Sequence, residues 1–84
     1  MGKVIPDRDT LKAARVRLGM NQEQIAKAAG LSRAAIADFE RGDTVPHQST
    51  IEALQTALEA RGIVFTNGNL PGFHFDKSKV VIPT

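Results

Sequence analysis

The stretch Asn21-Gln22-Glu23-Gln24-Ile25-Ala26-Lys27-Ala28-Ala29-Gly30-Leu31-Ser32-Arg33-Ala34-Ala35-Ile36-Ala37-Asp38-Phe39-Glu40-Arg41-Gly42 decides the fold. It divides at Gly30 into two helical runs, each opened by a capping residue and closed by a glycine. Asn21 caps the run from Gln22 to Ala29. Ser32 caps the next, which ends at Arg41 with Gly42 as its punctuation. On the second run Ile36, Phe39 and Glu40 stand at i, i+3 and i+4 and share one side, while Arg33, Ala34, Ala37, Asp38 and Arg41 fall on the other. The first group is a packing face with one carboxylate in it. The second is an exposed face whose small central residues let the helix backbone approach a surface closely, as entry into a DNA major groove requires. An ordinary amphipathic helix with alanines placed for propensity is the alternative reading of the same spacing.

Upstream, a first helix is expected after Pro6, with Asp7 as its N-cap and Gly19 as its end. Leu11, Ala14 and Leu18 form its apolar side, and Arg15 lies among them. A charge on a packing face needs a partner, because burying it alone is costly. Arg15 and Glu40 answer each other, which assigns both a structural role. Downstream, the loop Asp43-Thr44-Val45-Pro46 leads to a fourth helix. Ser49-Thr50-Ile51-Glu52 fits a capping box at its start, Ile51, Leu54 and Leu58 form its apolar face, and Gly62 is its expected end. Ile63-Val64-Phe65-Thr66 then changes to strand composition, followed by the turn residues Asn67-Gly68-Asn69, the loop Leu70-Pro71-Gly72 and Phe73-His74-Phe75. These residues predict a β-hairpin. A lone hairpin is marginal in water and its edges pair readily, so a dimer seam through Ile63, Val64, Phe65, Phe73 and Phe75 is expected; covering the fourth helix within one subunit is the alternative. Val80-Val81-Ile82 reads either as an added strand or as a mobile tail.

Composition narrows the function. Eighty-four residues make one domain, and the size favours help from a partner subunit. There is no cysteine, so neither a disulfide framework nor a thiolate metal site is available. No signal peptide and no apolar run of roughly 20 residues is present, which points to a protein that stays in a reducing cytoplasm, without a membrane partner. His47 and His74 lie far apart with no clustered carboxylates, and nothing resembles a phosphate-cradling glycine loop or a nucleophile site. These features argue against an enzyme, a metal centre or a cofactor. The net charge is +2, and the excess sits before residue 47, where eight Lys/Arg meet six Asp/Glu. Lys3, Arg8, Lys12, Arg15 and Arg17 contribute most of it, a pattern that fits an anionic partner or a solvated helix face.

Taken together, Gln22-Glu23-Gln24-Ile25-Ala26, Gly30-Leu31-Ser32, Ile36 and Phe39-Glu40-Arg41-Gly42 resemble the Cro/C1-type (XRE) helix-turn-helix family. The resemblance spans about residues 8–61. It implies a mostly α, lambda-repressor-like DNA-binding domain of four helices with the helix-turn-helix, followed by the C-terminal β-hairpin. Residues 1–61 would read DNA, and residues 62–84, in the same compact unit, would carry dimerisation. Gly62-Ile63-Val64-Phe65 and Pro71-Gly72-Phe73 are similar to the hairpin of small phage or mobile-element members. That return strand is commonly basic, whereas here it is Phe73-His74-Phe75, and the tail beyond Asp76 has no counterpart.

The resemblance further implies a transcriptional regulator, repressor or activator, that binds a roughly palindromic operator on double-stranded DNA as a homodimer, in the cytoplasm at the nucleoid. No small-molecule effector is implied. Base contacts would come from Gln22, Arg33, Ala34, Ala37 and Asp38, with Arg33 reaching guanine and the alanines touching thymine methyls. Asp38 would accept from cytosine or pair with Arg33, Arg41 or both. Phosphate contacts would come from Asn21, Arg41, Gly42, Asp43, Thr44 and Val45, with Lys12 and Arg17 as additions. The rival is an antitoxin or phage-type adaptor that mainly holds another protein. Salt separates the two, since only a phosphate-neutralising surface loses affinity steeply as salt rises.

Overall fold

The computed structural model describes residues 6–43, 45–66 and 72–82. The order is α1 (Arg8–Arg17), α2 (Gln22–Ala29), α3 (Arg33–Arg41), α4 (Gln48–Glu59), β1 (Ile63–Thr66), β2 (Gly72–Phe75) and a 3-10 turn at Lys77–Lys79. Each of the first three helices opens on a side chain that satisfies an orphan amide. The Asp7 carboxylate accepts from the Thr10 amide at 2.7 Å. Hydrogen bonds from the Thr10 side chain and backbone hold the Asp7 carboxyl below its ordinary range. Asn21 and Gln24 form a reciprocal capping box, with both bonds at 2.8 Å. Ser32 Oγ accepts from the Ala35 amide at 3.1 Å.

The junction between α2 and α3 depends on Gly30. Its φ of +72° turns the chain so that the Leu31 amide reaches back to the Ala26 carbonyl at 2.8 Å. A Cβ there would meet nothing within 4 Å, so the demand for glycine is conformational and not steric. Leu31 then packs against the core, and Ile36 on the next helix is fully buried.

The fourth helix departs from expectation. It begins at Gln48, not after Ser49, and its N-cap is His47, whose side chain makes no cap bond. Ser49 lies inside the first turn, where helical backbone angles bar it from capping. Glu52 is engaged by the Gln48 side chain one turn earlier, at 3.3 Å. The His47 carbonyl starts the ladder by accepting from Thr50 and Ile51. The helix also stops at Glu59, short of Gly62. The Arg61 and Gly62 amides bond to carbonyls three residues back, at 3.0 and 3.1 Å, and tighten the exit into a turn.

The core joins all of these elements. Leu11 and Ala14 from α1, Ile25 and Ala26 from α2, Ile36 and Phe39 from α3, and Leu54, Ala57 and Leu58 from α4 meet Ile63 and Phe65 from β1. The strands are antiparallel, pairing Ile63 with Phe75, Val64 with His74, Phe65 with Phe73 and Thr66 with Gly72. Alternation along a strand therefore puts Ile63, Phe65, Phe73 and Phe75 on one face. That face covers the core, with β1 against α4 and β2 against α1. Beyond β2 the chain forms no third strand up to Ile82. After the 3-10 turn, the Val81 amide bonds to the Ala60 carbonyl at 3.0 Å and ties the tail to the end of α4. The turn between the strands lies outside the described residues.

Candidate nucleic-acid interface

The interface begins with what holds α3 from behind. Arg15 Nε donates to Glu40 Oε2 at 2.7 Å and Nη2 donates to Oε1 at 2.9 Å. A third donation, from Nη1 to the Met20 carbonyl at 2.7 Å, ties the same guanidinium to the exit of α1. The side chains are 12% and 7% exposed. This fork fixes α1 against α3 in the manner that a bidentate arginine and carboxylate allow, as the residue pattern predicts.

Gln22, the first residue of α2, adds to this connection. Its Nε2 donates to Glu40 Oε1 at 3.1 Å, and its Oε1 accepts from Arg33 Nη1 at 3.4 Å. One amide thus links the packing face of α3 to its outer face. The periodicity of either helix gave no signal of this link, because it crosses between helices.

On the outer face Arg33, Ala34 and Arg41 are exposed, and Ala37 and Asp38 are half-buried. Asp38 Oδ1 accepts from Arg41 Nη2 at 2.6 Å, so of its open pairing options the structure takes Arg41. Arg41 Nε donates to Asp43 as well. Asp43, first in these interactions, and Asp38 raise the Arg41 pKa further above its ordinary range. Lys12 joins the group from α1: with Gln22, Arg33, Ala37, Glu40 and Arg41 it lines a concavity of about 430 Å³. Arg17 goes elsewhere, its guanidinium lying 4.8 Å from the Phe75 ring centroid on the hairpin.

Several groups expected at phosphates are already engaged. The Asn21 amide and Oδ1 form the capping box of α2, so a phosphate contact from this residue falls to its side-chain NH2. The Gly42 amide donates to the Asp38 and Phe39 carbonyls, each at 3.2 Å. Val45 is 91% exposed on the loop. Thr44 lies outside the described residues. Gly42 brings in a cation that the sequence pattern left unassigned. Its φ is +82°, and a Cβ at this position would collide with the Arg8 guanidinium, which packs directly over the glycine. The only sequence signal for Arg8 was its membership of the basic N-terminal cluster. The hairpin residues divide too: Ile63 and Phe65 are buried in the core, and Val64, Phe73 and Phe75 are half-buried.

A helix locked from behind, preceded by a short helix across a left-handed glycine turn and presenting small residues between arginines, defines a helix-turn-helix DNA-binding domain. A helix-turn-helix family model matches residues 11–61, more than half of the chain. The chain belongs to the Cro/C1-type (XRE) helix-turn-helix family and is a DNA-binding regulator. No curated protein matches the chain. The family is a DNA-binding one, not typically enzymatic. Among the described residues, no helix is long and apolar enough to cross a membrane.

Proposed function

We propose that the chain regulates transcription by binding, as a homodimer, a roughly palindromic operator, with α3 of each copy in the major groove. The observation that carries this reading is the two-sided character of α3: its inner face is held by the Arg15–Glu40 fork, while Arg33, Ala34, Ala37, Asp38 and Arg41 face away from the core. Arg33 reads guanine O6 and N7, Ala34 and Ala37 meet thymine methyls, and Asp38 accepts from cytosine N4. Gln22, released from Arg33 or Glu40, reaches a base edge. Asn21, Arg41, Thr44 and the backbone of the segment from Gly42 through Asp43 to Val45 position the domain on phosphates, with Lys12 beside them. One reading helix covers few base pairs, so two copies are needed, their half-site centres about 34–36 Å apart.

Residues 62–84 serve as the dimerisation element. Because Ile63 and Phe65 serve the core, the seam rests on Val64, on the outer parts of Phe73 and Phe75, and on the open hairpin edge. The protein acts at operator sites in the cytoplasm, on the pattern of small phage and mobile-element regulators. Selection of bound sites from random duplex DNA tests this reading. Inverted half-sites separated by one helical turn are the expected product. Enrichment of no sequence, or of a single unrepeated half-site, overturns the dimeric reading.

A further inference from the structure

Arg41 is distinguished from the other cations of the concavity by the company it keeps. Arg33 meets a neutral amide, that of Gln22. Arg41 meets two carboxylates, with Nη2 on Asp38 and Nε on Asp43. Gly42 makes the second contact possible: its left-handed turn, φ +82°, folds Asp43 back onto the residue just before it. All three side chains are about half exposed, 59% for Arg41, 49% for Asp38 and 57% for Asp43. Ion pairs so exposed contribute little to a fold. Their consequence lies instead in the surface potential that DNA meets. An arginine fork is the natural partner of a phosphate, and here two of its donors already serve anions.

We propose that Asp43 is an affinity-setting residue, an intramolecular competitor that occupies Arg41 in place of a DNA phosphate and lowers binding to any duplex regardless of sequence. This rests on the DNA-reading role proposed above. For Arg41 to contact phosphate, Asp43 must release Nε, and its charge then remains beside the DNA backbone. Asp38 acts on the base side of the same fork. A cytosine N4–H donor at the right position draws Asp38 away from Arg41, whereas a wrong base leaves it in place. Discrimination between sites on this fork therefore comes from Asp38, whereas Asp43 acts on every duplex alike.

The test measures fluorescence anisotropy of a labelled random-sequence duplex across a salt series. It compares the full chain with Asp43→Asn, Arg41→Gln and the double variant, each checked by circular dichroism. Asp43→Asn is expected to bind about two- to fivefold more tightly. Its salt dependence should steepen by up to about 0.9 in the log–log slope, the release of one phosphate's counterion. In the Arg41→Gln background the same substitution should give no gain. Unchanged or weaker binding by Asp43→Asn, with the unsubstituted chain still binding, overturns the clamp alone. A gain that persists without Arg41 also overturns it, since removal of a charge then suffices. If neither protein binds any duplex in dilute salt, the DNA-reading role falls and the clamp falls with it.

Discussion

Arg33 sits at the start of α3, where its guanidinium is exposed and, among the described residues, is held by a 3.4 Å bond to a neutral amide. Little has to be broken before it turns to a base. Substituting Arg33→Ala is expected to cost about 1–3 kcal/mol on the selected operator and to flatten discrimination at one base pair. Competition assays with single-base variants of the site check this; unchanged preference at every position would remove Arg33 from the readout. Gln22 differs from Arg33 because its amide also serves the buried Glu40. At the same scale, the spacing of α3 located Arg33, Ala34, Ala37, Asp38 and Arg41, since a period of 3.6 assigns each residue a side. It did not locate Arg8, whose place over Gly42 depends on the angle at which α1 meets the end of α3.

Between elements, the decisive contact is the Arg15–Glu40 fork. Its members are nearly buried, and removing one strands the other. Glu40→Ala is expected to destabilise the fold by about 3–5 kcal/mol. Replacing both, as Arg15→Met with Glu40→Leu, should recover most of that loss, because an apolar pair avoids desolvating two charges. Urea denaturation of the three variants measures it, and a double variant no more stable than Glu40→Ala would contradict the account. This pair was legible in sequence because each residue interrupts an apolar stripe. The start of α4 was not. Ser49-Thr50-Ile51-Glu52 carries the residue types of a capping box, yet the helix already runs from Gln48, with His47 supplying only its carbonyl. Residue types state which caps are available; the backbone decides which position takes the role, and here it is His47 that is extended while the helix already runs from Gln48.

For the whole molecule, the hairpin serves the core and, in the proposed dimer, the seam. Its inner face supplies Ile63 and Phe65 to the core, and its outer face and edge are proposed to meet a second copy. Truncation after Arg61 would remove both buried side chains, each worth about 1.5–3 kcal/mol. That sum approaches the total stability of a small domain. The truncated chain is thus expected to lose much of its helical signal in far-UV circular dichroism. The substitution Val64→Lys separates the tasks: helicity should persist while sedimentation shifts toward monomer. A Val64→Lys protein that still sediments as a dimer would place the seam elsewhere.

The order of helices and strands, the outward face of α3, its closing glycine and the Arg15–Glu40 pair follow from the sequence alone, because each rests on local spacing or on a charge that no apolar stripe can hold unpaired. The tie from Gln22 to Glu40, the placing of Arg8 on Gly42, the second carboxylate, Asp43, on Arg41 and the return of the tail to Ala60 were decided only by the tertiary structure. Most of these contacts join elements whose relative position comes from core packing. The grip of Asp43 on Arg41 spans only two residues but depends on the left-handed turn at Gly42, a backbone angle that residue spacing does not specify.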